Sequence, residues 1–85
     1  MPEISRFPGI TIIMYYRDHA PPHFRAIYGE FEMTVAIEGG AVTGNFPARA
    51  AALVQEWRRL HRAELLNAWS LARAGRPLAR IDPLE

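Results

Sequence analysis

The sequence predicts an α+β domain in which an antiparallel meander of three to four strands packs on a C-terminal helix or helical hairpin. Two observations predict this fold. Between about residues 10 and 44, β-branched and aromatic residues alternate with polar ones, and glycine-containing pairs interrupt the alternation at hairpin spacing. Between about residues 47 and 74, alanine and leucine are frequent and apolar residues recur at intervals of three and four. With 85 residues, a single domain spans 1–85 and ends in an extended tail, 75–85.

The strands follow from alternation and turns. We expect the first strand from Ile10 to Arg17, with its even-numbered residues on one face. The next two strands, 23–28 and 31–37, are joined by a two-residue loop, Gly29-Glu30. This register sets three apolar pairs on one face: Tyr28 opposite Phe31, Ala26 opposite Met33, and Phe24 opposite Val35. Gly39-Gly40 is the next expected two-residue turn, and residues 41–43 are expected to return as a short edge strand.

The C-terminal region has a helical apolar stripe that is expected to cover the sheet. Its members are Val54, Trp57, His61, Leu65, Ala68 and Ala72. The pattern leaves open whether this region is one helix or two helices with a break near residues 61–64. Gly75 and Pro77 are expected to end the helical region, and Ile81 and Leu84 are the only apolar anchors expected in the tail.

The other face of the sheet is expected to carry the reactive groups. If residues 18–22 form a five-residue hairpin loop, Arg17 lies opposite His23 and Tyr15 opposite Arg25. Thr34 then lies beside them on the next strand. Asp18 and His19 lie at the rim of this patch. Ile13 and Ile27 share the same face, and exposed apolar residues there favour a partner or a second copy as cover.

The patch suits contact with phosphate. The candidate catalytic residues are His23, His19 and Arg25, because imidazole exchanges protons near neutrality and guanidinium stabilises a phosphate. A hydrogen-bonded turn histidine and solvated arginines are the simpler alternative. The candidate binding residues are Tyr15, Arg17 and Asp18, together with three arginines of the helical region, Arg58, Arg59 and Arg62.

Asp18, His19 and His23 are also the residue types that ligate metals. The two prolines between the histidines hold the chain extended, so the rings need not converge. The sequence therefore assigns no metal site and no cofactor, and a metal-binding domain stays as a third interpretation.

Composition excludes further classes. The chain has no cysteine, which excludes disulfides, thiolate nucleophiles and cysteine metal sites. It shows neither a leader pattern nor an apolar stretch long enough for a membrane span, so we expect a cytoplasmic protein without a membrane partner. All ten basic residues are arginine, and the net charge is only +1.

The segments 1–7, 18–24, 28–30, 56–69 and 81–84 resemble the small prokaryotic domain-of-unknown-function family 4160. The Pro-Pro-His-Phe core at Pro21 to Phe24 is the most specific part of the likeness. Two positions depart from the family pattern: Arg25 stands where a further histidine is common, and Pro8 where an aromatic residue is common. An arginine does not ligate metal cations, so the first departure argues against a metal site built from three histidines.

The resemblance implies a gene encoded beside another small protein, in arrangements similar to toxin–antitoxin modules. We therefore expect an interaction module, one half of such a pair, that binds the protein encoded nearby or a second copy of itself. Nucleic acid, specifically RNA, is a second candidate ligand. The alternative function is a metal-independent ribonuclease-type toxin that uses His23 and Arg25.

Overall fold

The computed structural model describes residues 2–84, which form one antiparallel sheet followed by two helices. The elements in chain order are β1 (Glu3–Phe7), β2 (Ile10–Ile13), β3 (His23–Tyr28), β4 (Phe31–Ala36), β5 (Val42–Asn45), α1 (Ala48–Leu60) and α2 (Arg62–Arg73). Strands adjacent in sequence are adjacent in the sheet, in the order β1-β2-β3-β4-β5. The predicted α+β class and antiparallel meander are confirmed, with five strands instead of three to four.

The additional strand, β1, lacks the alternation that predicts strands. A bulge between Glu3 and Ser5 breaks its register with β2, so that Ile4 and Ser5 are both buried although they are adjacent. Because a bulge places consecutive residues toward the interior, the period of two is lost in a segment only five residues long.

β2 is shorter than predicted, and its register with β3 differs. It ends at Ile13, which lies opposite Arg25, so the predicted pairs of Tyr15 with Arg25 and Arg17 with His23 are wrong. The observed register differs from the predicted one by two residues. A shift of two leaves every side chain on its original face, so the apolar pattern is equally compatible with both registers. Residues 14–22 consequently form a long connection between β2 and β3.

The β3–β4 hairpin has the predicted register, with Tyr28 opposite Phe31 and Phe24 opposite Val35. The turn between β4 and β5 is wider than the predicted two residues. Gly40 has φ +80°, and an added Cβ there would lie 2.7 Å from the Nη2 atom of Arg58. This turn is therefore packed around an arginine of α1, which the local sequence does not indicate.

The core lies between one face of the sheet and the two helices. It includes Ile12, Phe24 and Met33 from the sheet and Trp57 and Leu65 from the helices. Trp57 packs against both Phe7 and Phe24, with ring centroids 5.6 Å apart in each pair. The predicted stripe of the helical region is buried here, except that His61 is only half-buried.

The helical region is interrupted once within the described residues, at His61, which has φ −116° and ψ 25°. Its Nδ1–H donates a 2.6 Å hydrogen bond to Glu64 Oε1. α2 ends in a Schellman motif, in which the Gly75 N–H donates to Ala72 O and the Arg76 N–H donates to Leu71 O. The break thus makes a helical pair, one of the two arrangements the sequence left open.

The two edge strands of the sheet, β1 and β5, differ in how far other parts of the chain cover them. At β1, the tail runs alongside the strand: the Ile81 N–H donates to Ile4 O at 2.7 Å and the Ile81 side chain is buried in the core. The Trp57 indole N–H holds the same tail through Asp82 O. At β5, all four residues are exposed. Across residues 2–84, the helices are too short and too polar to cross a bilayer.

Candidate functional site

The connection between β2 and β3 is fixed to the end of α2. The Arg17 N–H donates to Ala72 O at 3.1 Å, and Arg17 has φ +53°, a left-handed conformation that is uncommon for a residue with a side chain. The Arg17 guanidinium packs against Gly75, where a larger residue would collide with it. Arg17 is therefore directed toward the α2 terminus, away from the predicted position opposite His23.

Asp18 and His23 are joined across this connection. The His23 Nε2 atom lies 2.9 Å from Asp18 Oδ2, and the His23 Nδ1 atom lies 2.7 Å from Pro21 O. A carbonyl oxygen only accepts hydrogen bonds, so the Nδ1–H must donate to Pro21. When the Nε2–H also donates to the carboxylate, the ring carries both protons and is an imidazolium. Both nitrogens of His23 are thus occupied by groups of the same loop.

The carboxyl group of Asp18 is held in its ionised form. Its partial burial raises the pKa, but the hydrogen bonds from the His19 backbone N–H and the His23 ring, with the charge of these histidines, outweigh that effect. The net pKa of Asp18 is therefore lower than its ordinary value. The backbone bond, from the His19 N–H to Oδ1, is 2.8 Å long.

His19 completes a cluster with these two residues. Its ring lies 5.7 Å from the His23 ring, and its Nδ1 atom is 3.8 Å from Asp18 Oδ1. One ligand atom from each of Asp18, His19 and His23 falls within 4.8 Å of the others. The prolines between the two histidines therefore do not keep these rings apart. The connection turns back on itself between the two histidines, with a cis peptide bond before Pro21.

Arg25 lies on the same side of the sheet, next to this cluster. Its guanidinium carbon is 4.9 Å from the centroid of the Tyr15 ring, and its Nη1–H donates to Glu32 Oε2 at 3.2 Å. Thr34 lies opposite it on β4, as predicted. The structure therefore brings Tyr15 and Arg25 together through the long connection, although the two residues are not a strand pair.

These side chains border an open depression of about 320 Å³ on the outer face of the sheet. It is lined by His19, Pro21, His23, Arg25, Thr34, Ala36, Ala41 and Thr43. The outer face is less apolar than predicted, since Ile13 is buried and Ile27 is half-buried instead of both being exposed. What this face offers to a ligand is a mixture of threonine, alanine, imidazole and guanidinium.

α2 contributes two residues that the sequence did not assign to the site. The Trp69 ring lies 5.0 Å from the His23 ring, and the Arg73 guanidinium lies 6.0 Å from the Trp69 ring. Trp69 closes one side of His23, which leaves His23 only 7% exposed. The interval of four residues puts Trp69 and Arg73 on one helix face, which is the signal in the sequence that links them.

The three arginines of the helical region do not form one surface. Arg58 is buried, and its guanidinium donates to Ile37 O at 3.0 Å and to Gln55 Oε1 at 2.8 Å. Burial lowers the pKa of Arg58, and the neighbouring charges of Arg59 and Arg62 lower it further. Arg59 is exposed, and Arg62 lies 3.6 Å from Glu38. Arg58 therefore supports the β4–β5 turn, and the three candidate binding arginines have different surroundings.

Comparison with curated proteins and with solved structures found no match to the chain. A family model does match it, over residues 9–70, a segment that begins at the β1–β2 turn and ends within α2. This segment contains the whole Asp18–His23 connection and the outer-face depression. Because the match covers most of the sequence, the chain belongs to the family described as Domain of unknown function (DUF4160).

Proposed function

We propose that this protein is a small prokaryotic interaction module, one half of a toxin–antitoxin-like pair, that holds the protein encoded beside it. The partner contributes an extended segment that pairs with β5 and lies along the outer face of the sheet. The observation that carries this proposal is the difference between the two sheet edges. The tail runs alongside β1, whereas β5 is exposed over its whole length.

An exposed strand edge offers backbone donors and acceptors to another chain. The Ala36 N–H donates to Ala41 O, and in an antiparallel ladder the residues that bond to the partner strand alternate with residues that point outward. By this alternation, the backbone groups of Val42 and Gly44 point away from β4. Val42 is also 46% exposed, so its side chain offers apolar contact at the same edge.

The depression beside β5 supplies the side-chain part of the interface. Ala41 and Thr43 line it from the edge side, and Thr34 and Ala36 line its floor. Arg25 lies at the border of the depression, and its guanidinium forms a salt bridge with Glu32. Short side chains allow a second chain to approach closely, and the arginine favours a carboxylate or phosphate on the partner.

The experiment is to express the chain with the protein encoded beside it and to measure the mass of the purified complex by light scattering. Val42→Pro removes one outward N–H and leaves the β4 ladder intact, because proline is tolerated at an edge position that faces solvent. Val42→Thr is the matched control, because it retains the N–H. We expect the heterocomplex with the wild type and Val42→Thr, and its loss with Val42→Pro.

Equal complex formation by Val42→Pro and Val42→Thr would refute pairing at β5. A mass of two identical chains, abolished by Val42→Pro, would replace the partner protein with a second copy of this chain. Circular dichroism of each variant establishes that the fold is retained.

A ribonuclease-type toxin is the second candidate, because His19 and Arg25 border the same depression and the His19 side chain is 85% exposed. Since both nitrogens of His23 are occupied by Asp18 and Pro21, the accessible imidazole is that of His19. Purified chain incubated with RNA in a chelator tests this function. Cleavage that disappears in His19→Ala and Arg25→Ala would support it, and intact RNA with the wild type would exclude it.

A further inference from the structure

We propose that Asp18, His19 and His23 bind one divalent transition-metal ion at the rim of the outer-face depression. The site would be taken by zinc, nickel or copper. The inference stands on the geometry of these three residues and is independent of the proposed partner binding at β5.

The imidazole ring of His23 is held in the way that is typical of histidines that ligate metals. Histidines that ligate metals usually donate their other ring N–H to a carbonyl or carboxylate, which fixes the tautomer and the plane of the ring. The His23 Nδ1–H donates to Pro21 O at 2.7 Å, which directs Nε2 toward Asp18. Packing against Trp69 holds the same ring from the side, at a centroid distance of 5.0 Å.

The atom that faces His23 Nε2 is also an electron-pair donor. Asp18 Oδ2 lies 2.9 Å away, and two lone pairs at this distance repel unless a positive charge is shared between them. A proton provides that charge in the metal-free chain. A divalent ion would provide it with two bonds, to Nε2 and to the carboxylate, and the displaced Nε2 proton would pass to solvent while the Nδ1 hydrogen bond stays in place.

His19 supplies the third ligand. Zinc bonds nitrogen and oxygen at about 2.0–2.2 Å, so ligand atoms in a tetrahedral site are about 3.4 Å apart. The ligand atoms of the three residues lie within 4.8 Å of one another. Because the His19 ring is largely exposed, rotation about its side-chain bonds can close the remaining gap without moving the buried His23.

The ligand types select the metal. Two imidazoles and one carboxylate suit zinc, nickel and copper, whereas magnesium and calcium prefer oxygen ligands alone. Three protein ligands leave one position for water or for a group bound in the depression. Arg25 is a cation and contributes no ligand, but it lies in the same depression.

The test is calorimetric titration of the tag-free chain with zinc chloride and, separately, with magnesium chloride. The wild type is expected to bind one zinc ion and no magnesium. His19→Ala and Asp18→Asn should each bind zinc at least about tenfold more weakly. His19 is exposed, so its substitution tests the site without disturbing the core, and circular dichroism verifies the fold of Asp18→Asn.

The matched control is His61→Ala. His61 and Glu64 form a second close imidazole–carboxylate pair among residues 2–84, 2.6 Å apart, and this pair belongs to no three-ligand cluster in that range. This variant should bind zinc as the wild type does. Because the chain has only three histidines, NMR of the imidazole nitrogens can follow each one.

Zinc should shift the ring resonances of His19 and His23, preserve the Nδ1–H of His23, and leave His61 unchanged. Absence of zinc binding, or binding that persists in both His19→Ala and Asp18→Asn, would overturn the site. Weakening of zinc binding by His61→Ala to the same extent as by His19→Ala would also overturn it. None of these results depends on whether a protein partner binds β5.

Discussion

Replacing Arg58 by methionine should strongly destabilise the protein, whereas the same change at Arg59 should have little effect. Methionine retains an unbranched apolar side chain but removes the guanidinium, so this substitution isolates the hydrogen bonds. Arg58 makes two good bonds, to Ile37 O and Gln55 Oε1, and a longer one of 3.4 Å to Glu38 O. Arg59 is its exposed neighbour in the same helix.

The magnitude follows from these contacts. A hydrogen bond from a charged donor contributes about 1.5–3 kcal/mol, so the two good bonds sum to about 3–6 kcal/mol. The cost of burying the charge offsets part of this, which leaves about 2–4 kcal/mol. In a domain of this size each kcal/mol lowers Tm by about 4–8 °C, so Arg58→Met should lower it by about 8–30 °C.

Urea unfolding followed by tryptophan fluorescence measures both variants, since the chain has two tryptophans. Arg59→Met should lie within about 0.5 kcal/mol of the wild type. If Arg58→Met is equally neutral, the guanidinium does not support the β4–β5 turn. If it is neutral for stability but abolishes partner binding, Arg58 is the interface residue that the sequence pattern suggested.

Gly40→Ala should cost at least about 1–2 kcal/mol in urea unfolding, because φ is +80° and a Cβ would meet a guanidinium, whereas Gly39→Ala has open space and should be nearly neutral. Hydrogen bonds from Arg6 and Arg80 lower the pKa of Glu3 from 4.5 to about 2. The ionised Glu3 therefore stabilises the fold above pH 4.5, and this stabilisation is lost as the pH falls toward 2. The difference in Tm between wild type and Glu3→Gln should therefore disappear across that range, and a constant difference would contradict it. Ile81→Ala should destabilise by about 2–4 kcal/mol in the same urea assay, because its buried side chain fixes the tail beside β1, and an unchanged midpoint would show that the tail contributes nothing.

The sequence predicts the parts of the fold in which one register is clearly favoured. In the β3–β4 hairpin a slip of one residue would bury Glu32, so the alternation determines the pairing. Between β2 and β3 the competing registers differ by two residues and place the same side chains on each face. The pattern therefore predicts the correct face for Arg25. It predicts Tyr15 as the opposite residue, whereas the residue that lies opposite Arg25 is Ile13.

The site is predictable only in part, for the same kind of reason. Strand alternation gives the outward direction of His23, but it contains no information that Trp69 from α2 packs against the ring. The bond between Asp18 and His23 depends on how the connection turns at residues 19–22, which propensities do not specify. Arg58 looks like a surface arginine because helical spacing does not show that the β4–β5 turn folds over it.

Amide hydrogen exchange of the free chain and of its complex with the proposed partner protein shows whether that partner pairs with β5. Pairing at this edge predicts slower exchange at the outward-pointing amides of Val42 and Gly44, with exchange in α1 and α2 unchanged. Protection confined to α1 or α2, with Val42 and Gly44 exchanging as fast as in the free chain, would contradict pairing at β5.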